Sequence, residues 1–191
     1  MNSFNHHLLK EIEKKQSHLC VGLDINPEGF ANKNVTINDL KTHTEKVISA
    51  TQDLAVAFKP NLGFYERWGS KGFKWLEETM ELFEDNTIVI GDAKRGDIGN
   101  TAEQYAISLF GHFGFDAVTI NPYMGVDSIN PFIKNPKKGA FILCKTSNPS
   151  SINFQNLKLN GSNLYEMVAK KCFEWNEKEN IGLVVGATAP E

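Results

Sequence analysis

The chain reads as an α/β protein, a parallel (β/α)8 TIM barrel with about six β/α units present in its 191 residues. Six short apolar, β-branched runs alternate with helix-like stretches, at the scale of one βαβ crossover, on the order of 30 residues. Nearly every run ends on polar residues, as a barrel mouth needs, because the C-terminal ends of its strands converge on one site. No glycine-rich phosphate turn follows the first run, where an open doubly wound nucleotide-binding sheet would usually carry one.

The runs are Leu19–Asp24, Leu54–Lys59, Thr87–Asp92, Phe115–Asn121, Ala140–Lys145 and Gly182–Thr188. Each is short and almost continuously apolar, which predicts a strand buried on both faces. Helices are predicted over Ile37–Gln52, Leu62–Phe83, Thr101–Phe113 and Ser162–Glu179, the last opened by Ser162 as N-cap with Glu166 nearby. The fourth connection, around Val126–Lys138, is short and interrupted by proline. The polar strand ends are Asp24, Lys59, Asp92 with Lys94, Asn121, Lys145 with Thr146 and Ser147, and Thr188. Six strands fall short of a closed barrel, so residues 1–191 are expected to form one domain that is incomplete at its C-terminal side and belongs to a longer polypeptide.

Composition narrows the function classes. With 20 Lys and Arg against 23 Asp and Glu, the formal net charge is -3, which supplies no global field for nucleic acid or an anionic membrane. No apolar run approaches the roughly 20 residues of a membrane span, and no leader pattern opens the chain, so a cytoplasmic location is expected. Cys20, Cys144 and Cys172 are odd in number and widely spaced, which predicts three buried thiols rather than a disulfide framework or a metal pair. His6, His7, His18, His43 and His112 lack metal-ligand spacing, and the His6–His7 pair is expected in a solvated terminus. No metal is assigned. Phe64, Tyr65, Trp68, Phe73 and Trp75 fall at helical spacing and read as core or dimer packing.

The densest polar segment is Asp92-Ala93-Lys94-Arg95-Gly96-Asp97-Ile98. Side chains two apart on a strand share a face, so Asp92 and Lys94 are expected to enter the mouth while Ala93 points away. Gly96 is expected to allow a sharp turn that returns Asp97 to the pair. Two carboxylates around one ammonium would hold that lysine charged and place a proton donor beside fixed negative charge. A plain salt bridge at a strand end is the duller reading, and Arg95 is expected to be a surface or interface charge.

Asp92-Ala93-Lys94-Arg95-Gly96-Asp97-Ile98 closely resembles the D-x-K-x-x-D segment of the orotidine 5′-monophosphate decarboxylase family. Val21-Gly22-Leu23-Asp24, Phe58-Lys59-Pro60-Asn61 and Thr119-Ile120-Asn121-Pro122-Tyr123-Met124-Gly125 resemble that family's first, second and fourth strands. Lys145-Thr146-Ser147-Asn148-Pro149 resembles the loop after its fifth strand, in the version of the longer bacterial branch. The resemblance implies loss of CO2 from orotidine 5′-monophosphate to give uridine 5′-monophosphate, a step of pyrimidine nucleotide synthesis, with no metal or organic cofactor. Carried over by position, Lys94 would stabilise and protonate the C6 carbanion, Asp92 would face the substrate carboxylate, and Lys59 would complete the charge network. Asp97 and Thr101 would reach the site of a homodimeric neighbour. Asp24 and Thr101 would contact ribose hydroxyls, Ser147 the pyrimidine, and Asn121 the substrate at the fourth strand end.

Lys59 could instead cap strand carbonyls, and Thr146–Ser147 could be an ordinary turn; Lys145 receives no role. The family holds its substrate phosphate in loops after the seventh and eighth strands, and Gly186–Glu191 resembles the end of the sixth. The alternatives left open are a metal-assisted sugar-phosphate decarboxylase or aldol-type synthase on the same scaffold, a Schiff-base aldolase using Lys94 or Lys59, and an inactive fragment that lacks the phosphate grip.

Overall fold

The computed structural model describes residues 3–32 and 34–188; Ala189–Glu191, the close of the segment read as the sixth strand end, lie outside the described residues. In chain order the elements are α1 (Phe4–Lys15), β1 (Cys20–Leu23), α2 (Ile37–Thr51), β2 (Ala57–Pro60), α3 (Leu62–Glu66), α4 (Ser70–Met80), β3 (Ile88–Arg95) and α5 (Gly99–Ala106). There follow β4 (Ala117–Ile120), α6 (Asn130–Ile133), β5 (Gly139–Lys145), β6 (Lys158–Leu159), β7 (Ser162–Asn163), α7 (Leu164–Trp175) and β8 (Ile181–Val185). The six long-range strands pair in parallel in the order β1-β2-β3-β4-β5-β8. Each of these strands therefore lies beside its predecessor, the walk of a (β/α)8 barrel, and the six form part of its wall.

Strand alternation sorts the side chains into two layers. Ala57, Ile88, Ile90 and Ala117 face inward and cluster with Phe4, while Val89, Ala93, Val118, Ile120, Ala140 and Ile142 face outward into the main core beneath the helices. The expectation of strands buried on both faces holds for β3 and β4 but fails at the two edges. In β1 Cys20 and Gly22 are exposed, and in β8 Leu183 and Val185 are exposed, because alternate residues of these two end strands face the open inner side of the wall, where no further layer covers them. Cys20 is thus an exposed thiol, contrary to expectation; Cys144 and Cys172 are buried, and burial pushes the Cys172 thiol up to about 11.

Four other expectations are corrected. The N-terminal segment is a helix, not a solvated tail: the Ser3 hydroxyl accepts the His6 N–H, and buried Phe4 lies against Gly139, where a Cβ would strike its ring. Phe4, Leu8 and Ile12, spaced by four, carry that signal. The single helix predicted over Leu62–Phe83 is two, broken at Gly69, whose φ of +57° suits glycine. Gly72 then lets α4 approach α3, since a Cβ there would lie 1.8 Å from the Tyr65 carbonyl oxygen. The helix predicted from Thr101 begins at Gly99 and ends in a wider, π-type turn over Ile107–His112.

Asn163, not Ser162, caps α7, and the Glu166 carboxylate accepts the Asn163 N–H at 2.5 Å. Glu166→Ala is expected to cost about 1 kcal/mol, read as a lowered urea midpoint. Tyr65 and Trp75, with ring centroids 4.2 Å apart, are core, as the aromatic spacing predicted. No helix among the described residues is long and apolar enough to cross a membrane.

Candidate active site

The barrel rim is built where β1 to β5 end. Ile88, Ile90 and Asp92 follow one another on the inner face of β3, so the same alternation that buries the isoleucines turns Asp92 into the mouth. Asp92 is 8% exposed and receives three donors. Lys94 Nζ donates to its Oδ1 at 2.6 Å, Lys59 Nζ from β2 donates to Oδ2 at 3.0 Å, and the Thr119 hydroxyl from β4 donates to Oδ1 at 2.8 Å. Burial alone would raise the Asp92 pKa; the hydrogen bonds from Lys94 and Thr119 and the charge of Lys59 outweigh it and hold the carboxyl below its ordinary value.

Because the folded-state pKa is depressed, Asp92 contributes stability that is full above the ordinary aspartate range and is lost only as pH falls through and below it. The urea-midpoint advantage of the protein over Asp92→Asn is therefore expected to persist at about pH 5 and to shrink toward about pH 2.

The expected cluster of two acids around one lysine is corrected: one acid lies between two lysines. Asp97 does not return to the pair. Its Oδ1 accepts the N–H of Ile98 at 2.8 Å, and its side chain is partly exposed. The left-handed residue of this turn is Lys94 itself, with φ +46°, rather than Gly96, whose lack of a Cβ instead lets it sit against Asn121. Lys94 is half exposed at the mouth, and Ala93 points into the outer core as expected.

The remaining candidates ring this trio. Asp24, just beyond β1, is joined to it indirectly, its Oδ2 accepting Asn61 Nδ2 at 3.1 Å while Asn61 bridges to Asp92 along the backbone. Asn121 follows β4, its N–H donating to the Arg95 carbonyl at 2.7 Å and its Oδ1 accepting the Tyr123 N–H at 3.0 Å. Thr101, on the first turn of α5, and Ser147, two residues past β5, are exposed and not hydrogen-bonded to the trio. Arg95 is partly buried, paired with Glu66 and stacked on Tyr105, so it ties β3 to two helices. Lys145, which had no role, donates to Ser151 Oγ at 3.1 Å and Asn156 Oδ1 at 2.8 Å, pinning the loop that follows Ser147.

Sequence reasoning missed Thr119 and Asn61. Thr119 shares a face with Ala117 and Asn121 by alternation, and Asn61 lies two residues past Lys59; both signals were present in the spacing.

Residues 17–191 match the model of the orotidine 5′-phosphate decarboxylase / HUMPS family. The chain belongs to that family. Among its members, the orotidine 5′-phosphate decarboxylase of Natronomonas pharaonis is 47% identical over 192 residues, covering 99% of this chain and 71% of the relative. That of Parabacteroides distasonis is 45% identical over 186 residues, covering 95% and 66%. The solved orotidine monophosphate decarboxylase of Leishmania donovani superposes with a TM-score of 0.89 at 41% identity, covering 98% of this chain and 72% of that one. The chain thus spans about two thirds of the length of the curated decarboxylase-family relatives it matches. Among its described residues, no group of three or more His, Cys, Asp and Glu side chains is arranged to hold a metal ion.

Proposed function

We propose that the chain carries the reaction centre of an orotidine 5′-monophosphate decarboxylase and that Lys94 does its central chemistry. The bond from C6 to the carboxylate breaks, CO2 departs, the electron pair stays on C6, and the Lys94 ammonium delivers a proton there. Uridine 5′-monophosphate results. The observation that carries this reading is the Asp92 carboxylate held between the Lys94 and Lys59 ammoniums at 2.6 and 3.0 Å. Two cations against one anion leave the trio with a net positive charge, suited to a developing carbanion, and the Asp92 carboxylate holds the Lys94 ammonium in place at 2.6 Å.

A negative charge about 4 Å from a substrate carboxylate costs roughly 4 kcal/mol at an effective dielectric near 20, about a thousandfold in rate if relieved in the transition state. Such repulsion by Asp92 falls short of the roughly 8 to 23 kcal/mol that enzymes supply, so most of the acceleration falls to the preorganised cations. Asp24 and Thr101 would hold ribose hydroxyls and Ser147 the pyrimidine, with Asn121 beside it. In a homodimer Asp97 and Thr101 would serve the partner's site. Release of CO2 from orotidine 5′-monophosphate, by this chain and by a polypeptide that joins it to the phosphate-binding loops, tests the reading. Turnover that is unchanged in Lys94→Ala overturns it.

A further inference from the structure

We infer that Thr119 is a positioning residue that aims the Lys94 ammonium. The inference rests on the reading of Lys94 given above. Thr119 is 3% exposed, and its one hydroxyl makes two hydrogen bonds whose directions are forced. The Lys94 N–H can only donate, so Thr119 Oγ1 accepts it at 2.9 Å, and the hydroxyl proton is left for Asp92 Oδ1 at 2.8 Å. Lys94 Nζ reaches the same Oδ1 at 2.6 Å. A closed circuit results, from the Lys94 backbone through the threonine hydroxyl and the aspartate oxygen to the tip of Lys94's own side chain.

The circuit occupies the place where the sheet stops holding this residue. Pairing between β3 and β4 jumps from Gly91–Val118 to Arg95–Ile120, so the regular ladder skips Lys94, and Lys94 adopts the left-handed conformation that non-glycine residues rarely take. Strain of this kind persists only where surrounding contacts impose it, and the Thr119 hydroxyl is the contact on the Lys94 N–H. A lysine side chain otherwise spreads over many rotamers. Thr119 touches no substrate in this scheme; it acts through Lys94 and Asp92.

The test compares Thr119→Val, which keeps the shape and loses the hydroxyl, with Thr119→Ser, which keeps the hydroxyl. Thr119→Val is expected to lower kcat about 10- to 100-fold, the scale seen when a supporting hydrogen bond to a functional group is removed, with KM within about threefold and Thr119→Ser restoring most of the loss. A merely structural threonine would lower the folded fraction in both variants and leave kcat per folded molecule unchanged. That result, with Lys94→Ala inactive, overturns the inference and leaves the decarboxylase reading standing.

If the parent protein shows no turnover, that reading fails and the inference is judged on the Asp92 carboxyl 13C resonance. Asp92 is faced by Lys59 from β2, Lys94 on its own strand, Thr119 from β4 and the Cys20 thiol from β1. Its titration midpoint is expected to rise in Thr119→Val, and an unchanged midpoint overturns the inference. Should Thr119→Val not fold, Thr119→Cys, a weak donor of similar size, takes its place with the same expected outcomes.

Discussion

Lys94→Ala is expected to lower kcat for orotidine 5′-monophosphate by about a thousandfold or more while leaving the melting temperature nearly unchanged. The rate loss has two parts. A unit positive charge about 4 Å from the carbanion is worth roughly 4 kcal/mol at an effective dielectric near 20, which is already about a thousandfold. Loss of the proton donor adds to it, since general acid catalysis contributes typically about 10²- to 10⁴-fold. The stability loss is small because Lys94 is half exposed, and Asp92 keeps its hydrogen bonds from Lys59 and Thr119 when the ammonium is removed. Alanine at φ +46° is strained as lysine is, so the backbone cost cancels. Saturating turnover measured beside a thermal melt decides the matter, and a kcat within tenfold of the parent would refute the assignment.

How much of this arrangement was legible depends on the range over which each signal acts. The parallel strand order, the rim and the shared face of Asp92 and Lys94 follow from the two-residue period and the spacing of polar strand ends, which are local patterns. The break at Gly69 was not legible, because the Leu62–Phe83 segment keeps its helical apolar spacing across it; only the close approach of Gly72 to the Tyr65 carbonyl shows that the chain must turn there. The exposure of Cys20 depends on its place on the open inner side of an end strand, a property of the assembled wall. Asp97 was misplaced for a similar reason. A glycine at 96 permits a return toward Lys94, but permission is not direction, and the left-handed step falls two residues earlier.

Mixed preparations of Lys94→Ala and Asp97→Ala chains are expected to recover activity that neither variant has alone. Asp97 carries no ion pair or hydrogen bond to Lys94 within the chain, and among the described residues its carboxylate is held by the adjacent Ile98 N–H alone. Ile98, Tyr105, Ile107, Tyr123 and Met124 are exposed apolar side chains on the segments flanking that rim, which suits them to meet another subunit. If Asp97 completes the site of a two-fold partner, each mixed dimer holds one doubly damaged site and one intact site. Random pairing makes half of the dimers mixed, so about a quarter of all sites become intact, and activity is expected to reach about a quarter of the parent value. Were Asp97 to serve its own Lys94, every site in every pairing would lack one of the two residues, and co-folded mixtures would stay as inactive as the separate variants.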